Sequence, residues 1–292
     1  MARQIDTNGT PTQSAWINTL IAGGKWTDSV DDGVVTLRYA TMSGTAGDPF
    51  SGWAGGKVWS AAEVAALEAA FAAWENVCNI RFVRADNSAN ADLLYWLGSD
   101  LQMGGDGTLG WHYLPGGGQT GPLEGAFNYQ GDGWTSSGLA PGGYGFITLV
   151  HELGHGLGLA HPHADSRGEE AFPGVTAAQG DLGTYDLNQG IFTVMSYNGG
   201  WSELLSSSKD YGWQATPMAL DIAAIQKLYG ANMAYRSGDD VYTLPSTNAA
   251  GTGVPPLKWS THWDMTIPLF GGPEDGWKAR EAGRHCFEAS AG

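Results

Sequence analysis

An α+β fold divided by a cleft is what this chain of 292 residues predicts, and three observations carry it. Strand-like and helix-like segments mix over the first half: VVTLRYA at 34–40, an apolar-striped helix from Ser60 to about Cys78, IRFVR at 80–84, DLLYWL at 92–97 and a short strand at Glu124–Tyr129. Beyond residue 162 periodicity gives way to a long irregular stretch and one further helix, at roughly 217–229. Between the halves, a helix beginning near Phe146 runs into HELGHGLGLAHP at 151–162, which cannot stay helical to its end. A mixed sheet with long helices in an N-terminal lobe, followed by loops and one helix, places that string where the two lobes meet.

Each element has a local reason. Residues 13–22 read as a short helix stopped by Gly23 and Gly24. In the long helix Ser60 and Glu63 form a capping box, and Val64, Leu67, Phe71, Trp74 and Cys78 recur every three or four positions to make one buried stripe. Cys78 is then a buried free thiol at the end of that stripe, while Cys286 lies in a tail without comparable context. The last helix takes Thr216 as N-cap and Pro217 as its first residue, with Gly230 just past its end. After about residue 236 periodicity fades and no internal repeat is visible. The expected organisation is an N-terminal extension (1–12), a main domain (13–235) and an atypical tail (236–292).

Apolar residues at 42% against 15% charged make the chain globular rather than disordered. Its formal charge of −16 repels nucleic acid and anionic membrane, so neither is expected as a partner, and a monomer is expected. No apolar run reaches the ~20 residues of a membrane span. MARQIDTNGTPTQSAW lacks the apolar region of a signal peptide. Two cysteines are too few for a disulfide framework.

The chemistry concentrates in 151–162. His151 and His155 are four apart and share one helix face, as two imidazoles gripping one metal require. His161 would lie about 240° round a continuing helix. The chain must therefore break, and Gly158, free to take positive φ, stands where the break is needed. Pro162 pushes His161 out of the α region. Three imidazoles suit zinc and leave a position open, and a water activated there drops towards pKa ~7. Glu152 can take its proton and hand it to a leaving amine, so the set describes peptide-bond hydrolysis. Bare H-E-x-x-H also arises by chance, and structural zinc sites favour four ligands; Gly158 and His161 at the right offsets argue against both readings.

Met195 and Tyr197 in VMSYN extend the argument, because H-E-x-x-H-x-x-G-x-x-H with a later methionine turn marks the metzincins. Pro162 after the third histidine resembles the serralysin family, where matrixins carry Ser and astacins Glu. VMSYN, TPMALDIAAIQKLYG (216–230) and SAAEVAALEAAFAAWENVCNIRFV also resemble that family, over roughly residues 12–245. The resemblance implies a zincin fold, zinc on His151, His155 and His161, Glu152 as general base, and Met195 as an apolar floor. It implies for Tyr197 a resting zinc ligand that swings away to hydrogen-bond the oxyanion, with a purely structural tyrosine as the alternative. It makes 124–129 the edge strand that lines up a protein or peptide substrate, and His163 a surface residue or a neighbour of the ligands. His112, His262 and His285 read as ordinary polar residues. Secretion is implied without an N-terminal signal.

The resemblance stops short in the tail. No GGxGxDxxx repeat of the family's calcium-binding β-roll is present, so the tail reads as the start of a truncated or divergent roll. Arg236, Gly238 and Asp240 in RSGDD fall where the family's first calcium site takes ligands, and of the partner run only Trp263–Asp264 is present. They are the candidate calcium ligands, with a solvated acidic turn as the alternative. A zinc-binding module without peptidase activity, or an inactive truncated product, is the rival function.

Overall fold

The computed structural model describes residues 2–7, 14–27, 30, 32–43, 56–118, 121–163, 170–200 and 207–237. The strands are β1 (Arg3–Asp6), β2 (Gly24–Thr27), β3 (Val35–Thr41), β4 (Ile80–Arg84), β5 (Leu93–Gly98), β6 (Gly110–His112) and β7 (Leu123–Asn128). The helices are α1 (Ala15–Thr19), α2 (Ala61–Glu75), α3 (Tyr144–Gly156) and α4 (Ala219–Tyr229). Five strands form one sheet in the order β4-β3-β5-β7-β6, parallel except for β6, which runs antiparallel along the edge. This is an α+β fold, as expected.

The helix α2 starts where its capping box demands: Ser60 Oγ accepts from Glu63 N at 3.3 Å, and Glu63 Oε2 accepts from Ser60 N at 2.8 Å. It stops at Glu75, short of the expected Cys78, because Cys78 leaves the helix to bridge Ala231. Its stripe of Leu67, Phe71 and Trp74 is buried against the sheet, with Phe71 stacked on Phe82 at 4.2 Å. Trp74 Nε1 donates to the Val150 carbonyl at 3.1 Å and so ties α2 to α3. The other face of the sheet carries a smaller core of Met42, Leu94, Trp96, Met103 and Ala126. The central strand β5 is buried on both faces, which is why DLLYWL shows no polar alternation.

Three expectations are corrected. The first helix is shorter than 13–22, since Ala22 N donates to Gly158 O and Ala160 N to Leu20 O, drawing the chain out of helix to pair with the segment after α3. The last helix takes Met218, not Thr216, as N-cap: the Asp221 carboxylate accepts from Met218 N at 2.8 Å, and Pro217 stays outside the helix. The strand at 124–129 is not the edge; β7 is interior, and three-residue β6, too short to show a period, covers it. Within the segment expected as an extension, β1 pairs with β2 from Arg3↔Thr27 to Asp6↔Gly24.

Candidate active site

The helix α3 packs closely because it is rich in glycine at the right turns. A Cβ on Gly154 would lie 2.6 Å from Met195 Sδ, and one on Gly156 would lie 2.6 Å from His112 Cε1. The helix ends at Gly156 with Leu157 as C-cap, and Gly158 follows at φ +103°, where a Cβ would run into the Gly24 carbonyl. Gly158 N and Leu159 N close the last turn onto His155 O and Gly154 O, each at 2.9 Å. The chain then reverses and brings His161 to the other two histidines.

The three rings converge through one kind of atom. His161 Nε2 lies 3.2 Å from His151 Nε2 and 2.9 Å from His155 Nε2, and the candidate ligand atoms all fall within 4.8 Å of one another. His151 Nδ1 donates to Val194 O at 2.7 Å and His155 Nδ1 to Leu159 O at 2.8 Å. Those bonds set the tautomer and leave both Nε2 lone pairs aimed inward. Burial pushes His151 down to about 4, which keeps it neutral at neutral pH. Unprotonated nitrogens held this close repel unless a cation lies between them, and three converging imidazoles, two of them held by second-nitrogen partners, are a zinc donor set. Among the described residues this is the one such cluster.

Met195 is fully buried, with its Sδ against Gly154 of α3. Its turn is held by Asp221 of α4, whose role has no local signal in the sequence. Asp221 accepts from Thr193 Oγ1 at 2.5 Å, from Val194 N at 2.7 Å and from Met218 N at 2.8 Å. Val194 in turn presents its carbonyl to His151, so α4 orients the first imidazole through one peptide group. Burial pushes Asp221 up to about 7 against the pull of those three donors.

Glu152 is buried between α3 and the edge strand, and burial raises it to about 8. A nearby dication would pull it back towards the ionised form. Gly110 makes room for it, since a Cβ there would lie 2.7 Å from Glu152 Cγ. Tyr197 is 48% exposed, its ring 4.7 Å from that of His161 and 5.8 Å from that of His151. His163 is not a surface residue: it is buried and stacked on His161 at 4.6 Å and 10°. His112 is buried in β6, where burial lowers it to about 4. Pro162 is buried and accepts from Phe172 N at 2.7 Å. Of the candidate calcium ligands, Arg236 is described, at φ +45°, while Gly238 and Asp240 lie outside the described residues, as do His262, His285 and Cys286.

The matrixin family matches residues 56–167, from just before α2 to just beyond the third histidine. Serralysin C of Dickeya chrysanthemi is 37% identical over 193 residues, covering 64% of this chain and 37% of that protein. Metallopeptidase AprA of Pseudomonas marginalis is 30% identical over 239 residues, covering 77% of this chain and 46% of that protein. Serralysin of Photorhabdus luminescens is 31% identical over 183 residues, covering 62% and 35% respectively. The chain thus spans less than half the length of these relatives. High choriolytic enzyme 1 of Oryzias latipes overlays at a TM-score of 0.39 and 19% identity, over 69% of this chain and 92% of that one. In sequence the described domain is thus similar to the serralysins, and its three-histidine cluster is a donor set that suits zinc.

Proposed function

We propose that the protein is a zinc-dependent endopeptidase acting on proteins or peptides. The observation that carries this is the convergence of His151, His155 and His161 on one point, with Glu152 beside it under the edge strand. Zinc held by the three imidazoles would polarise the scissile carbonyl and acidify a water. Glu152 takes the proton of the attacking water and returns it to the leaving amine. Tyr197, among the described residues the one exposed phenol at the histidine rings, would serve as a weak zinc ligand at rest and as a donor to the developing oxyanion. Met195 and Asp221 hold the floor, and Gly158 with Pro162 delivers His161. The catalytic unit is residues 13–235, braced by β1. The reading includes a monomer, export from the cell, and calcium at Arg236, Gly238 and Asp240.

Glu152→Gln tests the mechanism. The zinc-loaded variant is expected to keep one zinc per chain while losing at least about 10²-fold in casein hydrolysis; wild-type turnover in that variant overturns the role of Glu152. A zinc-loaded wild type without chelator-sensitive activity would leave a zinc-binding module instead.

A further inference from the structure

The strand next to the edge, β7, carries one carboxylate that the proposed mechanism does not use. β6 and β7 pair Trp111 with Ala126 and His112 with Gly125, and Tyr113 N donating to Glu124 O at 3.0 Å extends the register by one pair. Opposed residues share a face. His112 and Gly125 therefore face α3, where the His112 ring fills the space beside Gly156. Trp111, Tyr113, Glu124 and Ala126 line the opposite, outer face. There Trp111 rests on the smaller core and meets Tyr113 at 5.1 Å, and Tyr113 is 42% exposed. Behind Tyr113, Glu124 is half-buried, and among the described residues nothing donates to its carboxylate or pairs with it; burial alone raises it to about 7. A carboxylate dehydrated without a partner is stabilised by an arriving cation.

The backbone says how a cation would arrive. Asn128 N donates to Leu109 O and Tyr113 N to Glu124 O, so by antiparallel alternation Gly110 and His112 turn their peptide groups to the outer edge, which no other described strand pairs. A peptide pairing there sets one residue opposite Tyr113 in the closer, non-hydrogen-bonded kind of pair. Its backbone lies two strand spacings from that of Glu124, about 10 Å, a gap that only a long side chain crosses. The path runs over the Tyr113 ring, whose face favours a cation. Gly110, packed on Glu152, marks the reacting bond, and Tyr113 stands three residues further along.

We propose that Glu124 and Tyr113 form a subsite selecting lysine or arginine about three residues from the scissile bond. The proposal rests on the endopeptidase reading above and names its substrate preference. The formal charge of −16 adds a long-range pull on basic peptides. The test uses the full chain and peptides differing only by lysine, arginine, norleucine or glutamate stepped through the positions around the cut. At one position, zinc-loaded wild type is expected to favour lysine or arginine over norleucine about tenfold in kcat/KM. Glu124→Gln is expected to bring that ratio to about one, and Glu124→Lys to turn the preference towards glutamate. Fluorescence anisotropy of the same peptides on Glu152→Gln reads the preference as an affinity ratio, independently of turnover. An inert wild type that still binds the basic peptide better overturns the endopeptidase reading alone. Equal rates and equal affinities for lysine and norleucine at every position overturn the subsite.

Discussion

Gly158 shows how one backbone conformation governs a metal site. Its φ of +103° turns the chain out of α3, and the space a Cβ would need is taken by the Gly24 carbonyl. Gly158→Ala is therefore expected to cost more than about 1 kcal/mol of stability and to weaken zinc binding, because His161 arrives only through this turn. Denaturant unfolding and competition with a zinc chelator measure the two effects; an unaltered zinc affinity would separate the turn from the site. Tyr197 stands at the opposite extreme, exposed, with ring contacts to His161 and His163. Tyr197→Phe keeps those contacts and removes only the hydroxyl. It should lower kcat about 10²-fold with little change in KM; an unchanged kcat rules out the oxyanion role.

At the scale of elements, the sheet and α3 are held in register by side chains that cross between segments. Glu63 is the clearest case. It caps α2, pairs with Lys57 and accepts from Trp134 Nε1 at 2.7 Å, joining the helix to the loop that precedes α3. Burial by itself would raise its carboxyl, but Lys57, Ser60 and Trp134 together hold it down at about 2, below the ordinary 4.5. A depressed folded value means that the carboxylate stabilises fully above about pH 4.5 and loses that effect as pH falls towards 2. Wild type and Glu63→Gln should therefore differ in urea midpoint at pH 6 and converge as pH approaches 2; a constant difference would contradict the ionic role. Asp221 acts at the same scale in the other lobe, binding α4 to the methionine turn.

For the whole molecule, the histidine cluster joins α3 to the reversing segment after it, and Val194 links it to the turn beyond. A ligand bound only by the folded state adds RT ln(1 + [L]/Kd) to stability. Removing zinc should lower Tm by about 5–10 °C in differential scanning fluorimetry, reversibly on adding zinc back. An identical Tm with and without chelator would show that the lobes hold together without the metal.

What the sequence determined by itself was everything carried by near neighbours along the chain. HELGHGLGLAHP specified three imidazoles, a base and a break, because helical geometry translates spacing directly into direction. Ser60 with Glu63 specified the start of α2 for the same reason. Only the tertiary structure decided the rest. It placed the edge at Gly110–His112 rather than at 124–129, because strand order depends on partners distant in sequence and three residues show no period. It gave Met218 rather than Thr216 the cap of α4, because a buried carboxylate already committed to the methionine turn reached back for that amide. It folded β1 onto β2 and buried His163 against His161, contacts with no local signal. It also set Glu124 beside Tyr113, since cross-strand register, not sequence separation, determines which side chains a bound peptide would meet.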